Sequence, residues 1–268
     1  MTAFIIIVPL VLLNIRFSTF WQAMDLTELY RNKPVYFGHR GDRKAFPENT
    51  IASYRSAIKK GLVAIEIDVM LTKDNRLVCS HNFDLEHETN GKGFIDEINY
   101  QDLVKVKTGK RFPAAKQAAI PLLTDVVKAI PKTALINIEI KTKGTFDLKA
   151  ARKVAHLIKN GEIPQKVIVS SFNPLAVRIV KLISRSTPTG FIFKETKHFK
   201  GVYIARPDCL QPKAELITDT IINFCRKRNM RINAWTVNEI ETRNWLIQKD
   251  IDGIITDDPK LAKSSTNV

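Results

Sequence analysis

Short apolar runs alternate along the chain with longer segments in which apolar positions recur every three or four residues. Eight of these runs are rich in Val and Ile and are typical of strands buried on both faces, as in parallel sheets. The predicted strands are residues 35–39, 64–71, 134–140, 167–172, 190–193, 202–205, 231–237 and 253–256. The segments between most of them have helical spacing and helix start or stop signals. The predicted helices are residues 49–60, 147–159, 174–184, 217–228 and 238–248.

This alternation predicts an α/β protein with the (β/α)8 architecture of a TIM barrel, which commonly takes about 250 residues. An open, doubly wound sheet is the alternative. The alternation is broken once, between residues 71 and 134, where a strand-like run at 77–80 precedes a polar stretch. We therefore expect a small insertion after the second strand and a barrel domain over residues 33–262.

Residues 1–24 form a separate, apolar N-terminal segment, with an almost unbroken apolar run at 3–13. The run is short for a bilayer-spanning helix, which needs about 20 residues, and it lacks the flanks of a signal peptide. It is interpreted either as a membrane anchor or as a terminal helix packed on the domain. Basic residues follow it, so an inserted segment would place the barrel in the cytoplasm. Without insertion, we expect a soluble cytoplasmic protein.

The composition is strongly basic: 42 Lys and Arg against 27 Asp and Glu give a net charge of +15 over 268 residues. Such a balance is typical of proteins that meet nucleic acid, an anionic membrane or a phosphorylated substrate. The charge is spread along the chain without an RNA-binding or zinc-finger motif, so we expect no nucleic-acid partner. The three cysteines, Cys79, Cys209 and Cys225, form no CxxC pair, which argues against a disulfide framework.

Carboxylates interrupt two of the apolar strands near the ends at which TIM barrels build their active sites. Glu66 and Asp68 are two residues apart in the second predicted strand, so their side chains point to the same side. Glu139 lies near the end of the third strand. Carboxylates this close repel each other unless a cation lies between them. The oxygen-rich set predicts one bound divalent cation, Mg²⁺ or Ca²⁺.

Two histidines and two cationic side chains lie at comparable positions. His39 ends the first strand and His81 follows the run at 77–80. Near a bound metal they can act as general acid and base. Arg40 and Lys141 offer positive charge to an anionic transition state. Because no Ser or Cys nucleophile motif is present, this set favours phosphoryl chemistry on a small phosphodiester.

Short motifs recur in order along the chain: HRG at 39–41, PENT at 47–50, Glu66-x-Asp68, TKD at 72–74, His81, EIK at 139–141, SF at 171–172, AWTVN at 234–238 and DGIITDDP at 252–259. Taken together, these blocks resemble the glycerophosphodiester phosphodiesterase family of the phospholipase C-like phosphodiesterase superfamily. Each block alone is weak evidence for the family, but the order and spacing of the blocks along the chain are specific to it. The resemblance implies a TIM barrel, a divalent cation and cleavage of glycerophosphodiesters into glycerol 3-phosphate and an alcohol.

The resemblance also implies roles for individual residues. These are Glu66, Asp68 and Glu139 as metal ligands, His39 and His81 as the acid–base pair, and Arg40 and Lys141 as phosphate-binding cations. Phe172 and Trp235 have two interpretations, as core residues or as walls of the substrate pocket, where an aromatic face can hold a choline-like cation. Asn82 departs from the family pattern, which usually has Asp after the second histidine, and Asp84 is a candidate substitute.

Two other functions compete with the phosphodiesterase hypothesis. A lysophospholipase D would act on membrane lysolipids and use the N-terminal segment and the basic surface. A catalytically idle barrel would bind its ligand without turnover, with Asn82 as the mark of lost activity.

Outside the predicted site, we expect His87, His156 and His198 to be packed or surface residues, and Asp257 and Asp258 to brace the barrel end.

Overall fold

Eight parallel strands close into a barrel. The structure is a computed structural model that describes residues 21–263 of the chain. The strands in this range are β1 (Val35–Gly38), β2 (Ala64–Leu71), β3 (Leu77–Cys79), β4 (Lys107–Thr108), β5 (Ala118–Ala119), β6 (Leu135–Ile140), β7 (Lys166–Ser171), β8 (Thr189–Phe193), β9 (Cys209–Pro212), β10 (Arg231–Ala234) and β11 (Gly253–Thr256). The ring runs β1-β2-β6-β7-β8-β9-β10-β11, and β1 closes it by pairing with β11. The predicted TIM barrel is confirmed, and the open sheet is excluded.

Helices follow most barrel strands and cover the outer face. They are α1 (Ile51–Lys59), α2 (Tyr100–Leu103), α3 (Leu123–Ala129), α4 (Lys149–Lys159), α5 (Pro174–Ile183), α6 (Val202–Ala205), α7 (Asp219–Arg226) and α8 (Ile240–Gln248). Local sequence explains several of their starts. Thr50 and Ser53 form a capping box at α1. Asn173 caps α5 by accepting hydrogen bonds from two backbone amides, and Pro174 occupies the first turn.

The alternation of residues along β2 and β6 separates the outer core from the barrel interior. Ile65, Ile67 and Val69 of β2 pack outward with the helices in one apolar cluster, as do the alternate isoleucines of β6. The residues between them, Glu66 and Asp68, are buried and point the other way. Polar side chains in these strands therefore face the inside of the barrel.

One predicted strand is wrong. Residues 202–205 form helix α6, and the sixth barrel strand is β9, Cys209–Pro212. A run of four apolar residues does not distinguish a strand from a helical turn. In α6, Val202 and Ala205 are buried while Ile204 is half exposed, which is the helical alternation. The true strand lacked an apolar signal, because Gln211 points into the barrel and Pro212 ends the strand.

The predicted insertion after the second strand is present. β3 pairs antiparallel with β2, and β4 and β5 form a separate two-stranded ribbon. The insertion packs around its own apolar cluster, which includes Leu85, Ile95, Leu103 and Ile120. It brings His81, two residues beyond β3, to the rim of the barrel.

The amino-terminal end of the barrel, here called the floor, is closed by the residues that precede β1. Leu26 and Tyr30 are buried in a cluster with Val35 and Cys209, which start their strands. The Tyr30 hydroxyl donates a hydrogen bond to Asn233 Oδ1 at 3.0 Å. The backbone amide of Met24 donates to Asp208 Oδ1 at 3.0 Å. The chain therefore enters the barrel at its floor.

The predicted N-terminal segment, residues 1–24, lies outside the described residues except for its last four. Trp21 contacts Tyr203 and Phe224 edge-on, and the Arg228 guanidinium lies 5.1 Å from the Trp21 ring centre. Within residues 21–263, no helix is long and apolar enough to cross a bilayer. The anchor interpretation and the proposed domain boundary at residue 33 stay predictions. The three cysteines are buried and free of disulfides.

Candidate active site

A cavity of about 600 Å³ opens at the carboxyl ends of the barrel strands. It is lined by eight of the predicted site residues, namely His39, Arg40, Glu66, His81, Glu139, Lys141, Phe172 and Trp235. The remaining one, Asp68, is fully buried and contacts the cationic side chains of the cavity wall. All nine predicted site residues therefore lie together at the carboxyl ends of the barrel strands, here called the mouth of the barrel.

The three carboxylates form one cluster because the register of β2 and β6 brings them side by side. Asp68 lies directly opposite Glu139 in that pairing. One oxygen from each of Glu66, Asp68 and Glu139 lies within 4.8 Å of the others. Burial, with the charges of Asp68 and Glu139, raises the pKa of Glu66 well above its ordinary value. The cluster thus holds more negative charge than its buried position favours.

Two carboxylate oxygens of the cluster are suited to a cation. Glu66 Oε1 and Asp68 Oδ1 are buried and have no hydrogen-bond partner among residues 21–263. The other oxygens are held: Glu66 Oε2 accepts from the Arg40 backbone amide at 2.9 Å, and Asp68 Oδ2 accepts from Asn49 Nδ2 at 2.9 Å. Glu66 Oε1 is thus without a partner in this part of the chain, and Asp68 Oδ1 faces the Lys141 ammonium at 3.3 Å; fixed carboxylate oxygens of this kind fit a hard divalent cation.

Arg40 and Lys141 hold positive charge against the same cluster. Lys141 Nζ lies 2.5 Å from Glu139 Oε1 and 3.3 Å from Asp68 Oδ1. Arg40 Nε lies 3.1 Å from Asp68 Oδ2, and its Nη1 donates to Glu48 Oε1 at 2.9 Å. Burial alone would raise the pKa of Asp68, but Lys141 and Arg40 outweigh it and hold that pKa below its usual range. Asp68 is therefore ionised beside two cations.

His39 is oriented by a carboxylate. Its Nδ1 lies 2.7 Å from Asp257 Oδ1, and its backbone amide donates to the Thr256 carbonyl at 2.8 Å. Burial raises the pKa of Asp257, but the hydrogen bond to His39 helps to hold that pKa below its usual range. The carboxylate is therefore ionised and can only accept a hydrogen bond. His39 Nδ1 consequently carries the proton, and Nε2 is the ring nitrogen free to meet a substrate. Burial lowers the pKa of His39, against the hydrogen bond to Asp257.

His81 is oriented by a neutral amide. Its Nδ1 lies 2.8 Å from Asn82 Oδ1, which accepts the hydrogen bond and again leaves Nε2 free. Burial lowers the pKa of His81 to about 4. Asp84 accepts instead from the backbone amide of His87 at 3.0 Å. Asn82, and not Asp84, thus takes the position of the expected carboxylate.

Phe172 and Trp235 form an aromatic wall of the cavity. Their ring centres are 5.6 Å apart in an edge-to-face arrangement. Trp235 Nε1 donates to the Gln211 carbonyl at 2.9 Å, and Lys141 Nζ lies 5.9 Å from the Phe172 ring centre. Both residues line the pocket, so the core-only interpretation does not describe them.

The sequence model of the glycerophosphoryl diester phosphodiesterase family matches residues 39–261. The chain is 34% identical over 237 residues to a glycerophosphodiester phosphodiesterase of Caldanaerobacter subterraneus, covering 85% of this chain and 96% of the relative. The chain belongs to the glycerophosphoryl diester phosphodiesterase family. It is therefore an enzyme of the phosphoric diester hydrolase class.

Solved structures of this family share the fold. A phosphodiesterase of Oleispira antarctica, in complex with the product sn-glycerol-3-phosphate, superposes with a TM-score of 0.80 at 23% identity, over 88% of this chain and 97% of the other. A glycerophosphodiester phosphodiesterase of Thermotoga maritima superposes with a TM-score of 0.69 at 26% identity, over 85% and 96%.

Several residues of this glycerophosphodiester phosphodiesterase site were missed as contributors. Asp257 was expected only to brace the barrel end, yet it contacts His39. Glu48 accepts from Arg40 and pairs with Arg43 at 2.9 Å. Asp257 lies directly after β11 in the DGIITDDP motif, and Glu48 lies just before α1 in the PENT motif. Their positions in these motifs are the sequence signal that points to the site. His198 is a surface residue as expected, but together with Lys194 it lines the rim of the cavity.

Two amides form part of the cavity wall inside the barrel. Asn137 of β6 and Gln211 of β9 exchange hydrogen bonds of 3.2 and 3.3 Å across the barrel. Gly190 makes room for this pair, because a Cβ there would lie 2.5 Å from Gln211 Nε2. The pair fills the interior below the carboxylates with satisfied polar groups.

Proposed function

We propose that the chain hydrolyses glycerophosphodiesters to glycerol 3-phosphate and an alcohol. The observation that carries the proposal is that one cavity gathers two histidines, three carboxylates and two cationic side chains. The named activity of the Caldanaerobacter relative and the product in the Oleispira structure support the choice of substrate.

Glu66, Asp68 and Glu139 would hold one divalent cation, Mg²⁺ or Ca²⁺. The Oε1 of Glu66, which is unpartnered within residues 21–263, and the buried Oδ1 of Asp68, which lies 3.3 Å from the Lys141 ammonium, support this assignment. When bound, such a cation supplies charge to the phosphate oxygens and lowers the pKa of a hydroxyl or water beside it. Arg40 and Lys141 would bind the phosphate charge, since a guanidinium and an ammonium stabilise an anionic transition state.

His39 and His81 would move the protons. Each ring donates its Nδ1 proton to a fixed partner, so each presents Nε2 to the substrate. One ring, neutral with Nε2 unprotonated, accepts a proton from the attacking water at Nε2. The other ring enters the reaction as the imidazolium, protonated on both nitrogens, and donates its Nε2 proton to the leaving alkoxide, which is a poor leaving group when unprotonated. The aromatic wall of Phe172 and Trp235 would contact the carbon atoms of the substrate.

The test is release of glycerol 3-phosphate from glycerophosphocholine and glycerophosphoethanolamine, measured with Mg²⁺, with Ca²⁺ and with a chelator. Turnover that depends on the added cation is the expected result. Binding of the cation without turnover of any diester would contradict the proposal and support the catalytically idle barrel.

Lysophospholipase D activity on membrane lysolipids is a second candidate. It is favoured by an exposed aromatic side chain near the mouth: Phe146, in the loop after β6, is 85% exposed. That loop accepts hydrogen bonds from Asn173 at the end of β7, so it lies at the carboxyl end of the barrel. Side chains of this kind can enter a lipid surface. Lysolipid analogues in the same assay separate the two functions, and turnover of lysolipids alone would move the site of action to a membrane.

A further inference from the structure

The charges of the cavity are distributed unevenly around the barrel ring. The acid–base, carboxylate and phosphate-binding groups come from β1, β2, β6 and the insertion. β8 lies four positions from β1 in either direction around the ring, so it is directly across the mouth. The side chains next to β8 therefore face a part of the substrate that lies away from the reacting phosphate.

The rim across the mouth is positively charged. Lys194 directly follows β8, and His198 lies in the 3-10 helix Thr196–Gly201; both are exposed and line the cavity. The nearby carboxylate of Glu195 is paired with Lys197 at 2.6 Å. In the described part of the chain, Lys194 has no carboxylate within ion-pair distance.

The wall between the rim and the reacting groups has two aromatic rings, and one of them already lies beside a cation. The wall includes Phe172, Trp235 and Ile192. A quaternary ammonium binds over an aromatic face, but the Phe172 ring already has Lys141 Nζ 5.9 Å from its centre, which leaves the Trp235 ring alone. A cationic arm reaching across the mouth would therefore meet two lysine ammonium groups.

The two arms of a diester are distinguished by their fit to the cavity. The glycerol arm is small and is the same in every glycerophosphodiester, so we place it beside the carboxylate cluster and the phosphate-binding cations. The alcohol arm varies in size between diesters and can extend to the open, exposed rim. The arm that reaches Lys194 is thus the leaving alcohol.

We propose that Lys194 makes this cavity select glycerophosphodiesters whose leaving alcohol carries its own negative charge, such as a second phosphate or a carboxylate, over those with a choline-like cation. This inference rests on the proposed function and names the substrate class of the same site. His198 adds a hydrogen-bond donor or acceptor beside the ammonium.

The test compares kcat/KM for three substrates that differ in the charge of the alcohol arm. They are glycerophosphoglycerol with a terminal phosphate, glycerophosphoglycerol, and glycerophosphocholine. The wild type is expected to prefer them in that order. For charges a few ångströms apart in a solvated cleft, each change of substrate along this series is expected to lower kcat/KM about fivefold. The difference between the substrates should shrink as salt is added.

Substitutions of Lys194 should change the ratios of kcat/KM between the three substrates. Lys194→Gln is expected to lower the anionic-to-neutral ratio about fivefold, and Lys194→Glu to make glycerophosphocholine better than the anionic substrate. The matched control is Lys200→Gln, which removes an exposed lysine of the neighbouring 3-10 helix Thr196–Gly201 that does not line the cavity and leaves the Glu195–Lys197 pair intact. Its ratios should equal those of the wild type.

Two results would overturn the inference. An equal loss of kcat/KM for all three substrates in Lys194→Gln would show that Lys194 binds the common phosphate. A wild-type preference for glycerophosphocholine would show that the aromatic wall outweighs the lysine. If the wild type hydrolyses none of the three, the proposed function fails. The dissociation constants of the same molecules, measured by calorimetry with the wild type and Lys194→Gln, then decide the inference by the same ratios.

Discussion

The two histidines of the cavity differ in the group that holds the ring. His39 donates to the ionised Asp257, whereas His81 donates to the amide of Asn82. A carboxylate stabilises the imidazolium form by charge, and an amide oxygen does so only by its dipole. The two rings are therefore positioned alike but differ in how readily they hold a second proton.

Exchanging the partners should move the two histidine pKa values in opposite directions. Asp257→Asn removes a negative charge from beside His39 and is expected to lower the pKa of His39 further. Asn82→Asp is expected to raise the pKa of His81, which is about 4 in the wild type. NMR titration of the imidazole resonances, with chelator present, measures both shifts. A His81 pKa that does not rise in Asn82→Asp would contradict the assigned contact.

Removal of either ring should abolish turnover. His39→Ala and His81→Ala are each expected to lower kcat by at least about a hundredfold, because each deletes one proton-transfer group. Release of glycerol 3-phosphate measures the loss, and circular dichroism checks the fold. His156→Ala is the control, since His156 is exposed on α4. Near-normal activity in either site variant would remove that histidine from the acid–base pair.

At the scale of elements, the pairing of β2 with β6 creates the metal-binding geometry. The register sets Asp68 beside Glu139, and the alternation of β2 puts Glu66 on the same inner face. The raised pKa of Glu66 means that its charged form is disfavoured in the folded state, mainly by burial. The charge of Glu66 therefore costs stability at neutral pH when no cation is bound.

Glu66→Gln should consequently act in opposite directions with and without metal. With chelator at pH 7, the variant is expected to melt at a higher temperature than the wild type, because it removes a disfavoured charge. Its affinity for Mg²⁺ or Ca²⁺ should fall about tenfold or more, because one charged ligand is lost. Calorimetric titration and thermal melts measure the two effects.

Glu97→Gln, which changes an exposed carboxylate of the insertion, is the control and should change neither quantity. An unchanged metal titration in Glu66→Gln would take Glu66 out of the ligand set.

The elements also show which parts of the fold the sequence could predict. Seven barrel strands carry short apolar runs, the clearest of them rich in Val and Ile, which indicate burial on both faces. β9 was missed because its inward Gln211 and terminal Pro212 remove the apolar pattern. α6 was mistaken for a strand because four apolar residues have no measurable period. Both errors come from elements of four residues, where tertiary packing decides the conformation.

At the scale of the whole molecule, barrel closure explains why the predicted site assembled. Residues that end successive parallel strands meet at one mouth, so the motif residues from His39 to Trp235 came together without any long-range signal in the sequence. Lys194 and His198 could not be found in this way. They lie in exposed positions of a chain with 42 Lys and Arg, where a single basic residue carries no pattern.

The floor of the barrel contributes to the stability of the whole molecule. Leu26 is buried there with Tyr30 and the first residues of several strands. Leu26→Ala is expected to lower the free energy of unfolding by about 2–5 kcal/mol. Leu182→Ala, at a position 53% exposed on α5, should change it by less than about 0.5 kcal/mol. Urea denaturation measures both, and equal effects would contradict the role of Leu26 in closing the floor.

The contacts of Trp21 and Ala23 set the direction in which the chain leaves the barrel. The Ala23 amide donates to the Arg228 carbonyl at 2.9 Å, on the loop before β10, so the exit is at the floor and the cavity is at the opposite end. A tether fixed at Trp21 itself, such as a resin bead or a carrier protein, would be attached at the floor, with the mouth of the barrel at the opposite end. Diffusing diesters would enter an immobilised preparation freely, whereas a molecule embedded in the tethering surface would face the closed end.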